Sequence, residues 1–122
     1  MAMTLYEKLG GQGAIRATVT KMYEKILGDD RVSYFFADTD MDMLRRMNSE
    51  FVGMAFGAPH SYTGQSLQTA HAGLVAKGLN DTHFDIVAEH LAAAMRELEV
   101  APELIDEGLA IVESVRGDVL GK

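Results

Sequence analysis

Four histidines and no cysteine bound what this 122-residue chain can do with a metal. Without thiolates there is no disulfide, cysteine-ligated zinc, iron–sulfur cluster or c-type haem attachment, so a metal would have to rest on His, Met, carboxylate or Tyr. Two of the histidines fall in QSLQTAHAGLVAKGLNDTHFD, residues 65–85. His71 stands among Leu67, Ala70, Leu74 and Val75, a helical spacing that turns it inward. There an imidazole can give one nitrogen to a metal while a carbonyl orients the other. A lone histidine among leucines is more often a hydrogen-bonded core residue, and spacing leaves both readings open. His83 and His90 lie about 10.5 Å apart along a helix, too far to share an ion. THFDIVAEH also lacks the i, i+4 pair of a zinc-protease helix. These two are expected at a helix start and on a half-exposed flank, and His60, beside Pro59, in solvent.

Two other polar groups turn inward. Tyr23 shares a face with Ile15, Val19, Met22 and Ile26, and Asn48 shares one with Leu44, Met47 and Phe51. A buried amide left without a partner costs about 1–3 kcal/mol, so Asn48 needs a reason to be there. Either the two side chains face a small polar guest, or they bond each other or a backbone carbonyl. Of the 8 methionines, most are expected as core filler, and only Met47 is placed to approach a metal. The chain has no glycine-rich phosphate cradle after a strand and no G-x-S-x-G.

These residues need helices to hold them, and apolar spacing reads as helix nearly throughout. Thr4-Leu5-Tyr6-Glu7 is a capping box opening a short helix that Gly10-Gly11 stops. A longer helix is expected from Ala14 to Leu27. The aromatic link YFFADTDMD (34–42) follows, with Asp40 capping a helix from Met41 to Phe56. Gly57-Ala58-Pro59 breaks that helix, HSYTG (60–64) is loop, and the His71 helix ends at Gly78. Asn80 to Thr82 starts a helix running to Glu99 with Phe84, Val87, Leu91, Met95 and Leu98 inward. Pro102 opens the last helix, with Ile105, Leu109, Val112, Val115 and Val119 as its buried stripe. The expectation is one all-α domain over residues 1–122.

Composition agrees with a globular chain: 48% hydrophobic residues and only 2 prolines. A domain of this length buries roughly two-thirds of its unfolded surface. A net charge of −7 opposes nucleic acid. No membrane span or secretory leader is evident, so the cytoplasm is the expected location.

LYEKLGG (5–11), MYEKIL (22–27), YFFADTDM (34–41), YTG (62–64), AHAGL (70–74), HFDIVAEHL (83–91) and DVLGK (118–122) resemble, in order and spacing, the group I truncated haemoglobins. The resemblance spans essentially the whole chain. It implies a shortened globin, two helix pairs in a two-over-two sandwich with haem b held noncovalently between them. It makes His71 the proximal iron ligand and leaves His83 structural. Tyr23 matches the distal tyrosine that hydrogen-bonds bound dioxygen, and Asn48 a second distal position where glutamine is common. Phe36 matches the aromatic that packs on the porphyrin. Phe35, Leu44, Met47, Phe51, Tyr62, Leu67, Leu74, Phe84, Val87 and Leu91 are the expected pocket lining.

Three departures stand out. Leu44 occupies a distal position often held by glutamine, Met47 a site where some relatives carry an iron ligand, and Ala58 follows Gly57 where a second glycine is usual. The C-terminal helix has no histidine to cross-link haem. The resemblance implies reversible dioxygen binding, with nitric oxide and carbon monoxide as further ligands. The alternatives are nitric oxide dioxygenation with an external reductase, and electron transfer or redox sensing by a haem that Met47 also ligates.

Overall fold

The computed structural model describes residues 4–57, 75–76 and 78–120. All the regular structure among these is helical. α1 (Leu5–Leu9) is opened by the expected capping box. Thr4 Oγ1 accepts from the Glu7 amide at 3.2 Å, and Glu7 Oε1 accepts from the Thr4 amide at 3.2 Å. Gly10, at φ 113°, ends it in the left-handed region.

α2 (Gln12–Leu27) starts two residues before the expected Ala14 and buries Ile15, Thr18, Val19, Met22, Tyr23 and Ile26. Except for Thr18, these are the residues the three-and-four spacing selects. Thr18 joins them because its hydroxyl donates to the Ala14 carbonyl at 2.8 Å, which satisfies it inside the helix. A short 3₁₀ turn, Ser33–Phe36, leads to α3 (Met41–Ala55), whose start is fixed by Asp40 Oδ1 accepting from the Met43 amide at 3.1 Å. The end of α3 is hooked back to α1 by the Tyr6 amide donating to the Phe56 carbonyl at 2.8 Å. Gly57 closes that hook. Its φ is 109°, and a Cβ there would come within 2.6 Å of Thr4 Cβ, so no other residue fits without movement.

α4 (Asp81–Glu97) is capped by Asn80, whose Oδ1 accepts from the Thr82 amide at 3.0 Å. His83 plays the part usually taken by glutamate, its Nδ1 accepting from the Asn80 amide at 3.1 Å. Phe84, Leu91 and Met95 are buried as expected, and so are Ile86, Ala92 and Ala94. α4 therefore buries more than one stripe, as a helix packed against both α2 and α5 (Pro102–Ser114) must. Val87 and Leu98 are only half-buried.

The last helix is not continuous. It breaks at Val115, and α6 (Arg116–Leu120) follows. Ser114 Oγ donates to the Ile111 carbonyl at 2.5 Å at the break. Beyond it the Arg116 guanidinium is drawn to Asp81 at 3.1 Å and to Asp85 and Glu113 at 2.5 Å each. The expected buried stripe is correspondingly weaker: Ile105 is buried, while Leu109, Val112, Val115 and Val119 are half-buried.

α2 lies at the centre of the packing, against α3 on one side and α4 on the other. Among the described residues no helix is long and apolar enough to cross a membrane.

Candidate functional site

Where α2 crosses α3, Tyr23 and Asn48 meet. Tyr23 is 4% exposed, and Asn48 Nδ2 donates to its hydroxyl oxygen in a short hydrogen bond. Burial pushes the phenol up to about 12, an effect the Asn48 hydrogen bond partly opposes. Tyr23 is therefore a neutral donor at any physiological pH. Its oxygen accepts from Asn48, and its own proton has no acceptor among the described residues. A buried hydroxyl with an uncommitted proton suits a guest that carries partial negative charge, because a hydrogen bond in a dry site is electrostatically stronger than in water. Phe36 meets the Tyr23 ring edge-on at 5.8 Å between centroids, so the 3₁₀ turn braces the phenol.

The remaining expected residues divide into three groups. Phe35 and Leu91 belong with Tyr23 to the buried core, and Phe36, Leu44 and Val87 pack against it. Phe35 stacks on Tyr34 at 4.3 Å and meets His83 edge-on at 5.0 Å. Phe84 is buried at 8% exposure but sits apart from that cluster, under the Arg116 guanidinium at 4.5 Å. Met47 and Phe51 are half-buried on α3. His71, Tyr62, Leu67 and Leu74 lie outside the described residues, as does His60.

On α3 the expected lining residues Leu44, Met47 and Phe51 are half-buried, and the fully buried positions are Ser49 and Gly53, with Phe56 at the helix end. Small residues let α3 approach α1 and α2 closely on that side. Apolar periodicity could not find them, since serine and glycine carry no hydrophobic signal.

Two charged clusters also escaped the sequence. His90 Nε2 lies 2.8 Å from Asp29 Oδ2, with side chains 17% and 13% exposed, so His90 is more covered than a half-exposed flank. The Arg31 guanidinium and backbone amide, followed by His90, hold the Asp29 carboxyl well below the usual carboxylate range. Arg116 forms the second cluster, over Phe84. Each joins a local pair, Asp29 with Arg31 or Glu113 with Arg116, to a partner distant in the chain: 61 positions for His90 and Asp29, 35 for Arg116 and Asp81. Among the described residues no group of three or more His, Cys, Asp or Glu side chains could hold a metal ion.

An all-helical chain with α2 crossing α3 and α4, and a buried Tyr–Asn pair at the first crossing, has the architecture of a small globin. Residues 4–120 match the family model of the bacterial-like globins. The chain is 42% identical over 119 residues to a group 1 truncated hemoglobin of Tetrahymena pyriformis, covering 98% of this chain and 96% of that one. It is 47% identical over 109 residues to one of Synechocystis, covering 88% of each. The crystal structure of the 2/2 hemoglobin of Synechococcus, described in the cyanomet state and with covalently attached heme, superposes with a TM-score of 0.93. Its identity to this chain is 45%, with 98% of this chain and 100% of that one covered. This chain belongs to the bacterial-like globin family, as a group 1 truncated haemoglobin with the two-over-two helical fold.

Proposed function

We propose that this globin binds haem b noncovalently, with His71 as the proximal ligand, and takes up dioxygen reversibly on the side that Tyr23 and Asn48 face. Bound haem supplies an iron centre able to hold a diatomic gas. The chain supplies the surroundings. Tyr23 donates its free proton to the guest, Asn48 fixes the phenol by donating to its oxygen, and Phe36 keeps the ring from swinging. The donor set fits the cofactor, since a neutral phenol beside a neutral amide favours a guest of partial negative charge without introducing a full charge into an apolar pocket.

The observation that carries this reading is the buried Tyr23 hydroxyl, whose proton has no acceptor among the described residues. Residues 102–120 contain no histidine to cross-link haem, which supports noncovalent attachment. Visible spectra of the haem-loaded protein and of His71→Gly test the ligand assignment. The parent is expected to show a haem spectrum that the variant loses or shifts. Identical spectra would remove His71 from the iron. Extraction with acidified butanone should take all the haem into the organic layer, and haem left with the protein would show a covalent bond.

A further inference from the structure

His83 and His90, two turns apart on α4, both reach across to the link between α2 and α3. His90 Nε2 lies 2.8 Å from Asp29 Oδ2, and His83 Nε2 lies 3.3 Å from the Tyr34 hydroxyl oxygen. Between these points the chain folds on itself, the Val32 and Ser33 amides donating to the Asp29 carbonyl at 3.1 and 2.9 Å. Residues 29–36 are thus fastened to α4 at both ends. The His83 end is reinforced by Phe35, which stacks on Tyr34 and meets the His83 ring edge-on. The next residue is Phe36, whose ring meets that of Tyr23. What holds this turn to α4 therefore also bears on the buried phenol.

The partners assign the ring protons. Asp29 is an anion, its carboxyl held low by Arg31 and His90, so His90 Nε2 must carry a proton to donate to it. His83 Nδ1 accepts from the Asn80 amide at 3.1 Å, so a neutral His83 also carries its proton on Nε2 and donates it to the Tyr34 oxygen. Acid adds the second proton to Nδ1 in both rings, with opposite results. At His90, Nδ1 has no partner among the described residues, and the added charge strengthens the hold on Asp29. At His83 the new N–H would point at the Asn80 N–H, donor against donor, and a cation would stand at the positive end of α4. The ring must turn away, which gives up both the cap and Tyr34. The neighbouring charges leave this contrast in place. Asp81 and Asp85 flank His83, but Arg116 of α6 engages both. Beside His90, Arg31 shares the Asp29 carboxylate and is itself offset by Glu89. Lys21 and Lys25 of α2 are engaged by Glu97, at the far end of α4.

We infer that residues 29–36 form an acid-released clip that regulates the gas site: a proton on His83 frees the Tyr34 end from α4 while His90 keeps hold of Asp29, and the slackened turn no longer steadies Phe36 against Tyr23. Gas held by the phenol then leaves faster in acid. Two histidines too far apart to share an ion thus share a task, one as the fixed end of the clip and the other as its catch. The effect on gas rests on the gas-binding reading, whereas the clip itself does not.

Histidine ordinarily changes charge between about pH 5 and 8, so the test is a titration of the haem-loaded protein across that range by amide and imidazole chemical shifts. The amides of Asn80, Tyr34, Phe35 and Phe36 should move together with the His83 ring, and those of Asp29 and Arg31 with the His90 ring. His83→Gln keeps an acceptor for the Asn80 amide but cannot take the proton, so it should abolish the first set of shifts and leave the second. Dioxygen dissociation should be faster at the acid end than at the alkaline end by about two- to tenfold, the worth of one aromatic pair, and independent of pH in His83→Gln. The clip is overturned if the Asn80 and Tyr34 amides do not titrate, or titrate equally in His83→Gln. Its control of the gas is overturned if those amides titrate while the dissociation rate stays flat in a protein whose rate Tyr23→Phe does alter. A rate unchanged by Tyr23→Phe would instead remove the gas-binding reading, with the amide titration still deciding the clip.

Discussion

The two faces of α3 divide the work of the helix. One carries Leu44, Met47, Asn48 and Phe51, all half-buried, and brings Asn48 to the Tyr23 hydroxyl. The other carries Ser49 and Gly53 and ends at Phe56, all buried, and seats the helix on α1 and α2. The large apolar residues are thus not where this helix is most deeply packed. Close approach is achieved by small side chains, and the larger ones lie on the side that carries Asn48.

If that division is right, truncations on the two faces should have opposite signatures. Phe56→Ala removes a ring that is 3% exposed and should lower stability by about 3–5 kcal/mol, read from urea unfolding. Phe51→Ala, on the half-buried face, should cost clearly less in the same measurement and instead alter gas-binding kinetics. Equal losses of stability would erase the distinction.

The next effect in size is a pH dependence. Tyr23 titrates near 10 when unfolded and is pushed up to about 12 by burial. The folded state therefore holds its proton longer, and stability that is complete below pH 10 is lost as pH rises through about 12. The loss amounts to about 2–3 kcal/mol, and Tyr23→Phe should abolish it in alkaline unfolding curves. Asp29 works in the opposite direction. Its carboxyl is held low by Arg31 and His90, so its contribution is present above the ordinary carboxylate range and lost as acid is added. Asp29→Asn should flatten the acid limb of the stability profile.

The smallest effect is expected at Ser49. Ser49 is 4% exposed and its hydroxyl forms no hydrogen bond among the described residues, so Ser49→Ala should change stability by less than about 1 kcal/mol. A loss greater than that would mean the hydroxyl has a structural partner.

These contrasts also mark what the sequence could and could not disclose. Helix starts were legible, because Thr4, Asp40 and Asn80 cap by short-range chemistry written in adjacent residues. The α2 stripe was legible because its inward side chains are large and regularly spaced, and Tyr23 could be picked out as its polar member. The spacing also left open whether Tyr23 and Asn48 bond each other or a guest. The structure shows them bonded to each other, with no acceptor for the Tyr23 proton among the described residues. The seat of α3 was not legible, since Ser49 and Gly53 are buried by the approach of α1 and α2 rather than by their own hydrophobicity. Nor was the break at Val115, which accompanies the pull of Arg116 toward Asp81 and Asp85 on another helix. The pairing of His90 with Asp29 is of the same kind. What depends on neighbours distant in the chain leaves no periodic trace.

The account rests most heavily on the Tyr23 proton. The dioxygen dissociation rate of the haem-loaded protein, compared with that of Tyr23→Phe by stopped flow, tests it directly. Loss of one hydrogen bond to a partly charged guest in a dry site should speed dissociation by about 10- to 100-fold, with Asn48→Ala giving a smaller rise because it only orients the phenol. A rate unchanged in Tyr23→Phe would contradict the account, showing that the buried hydroxyl does not face the gas.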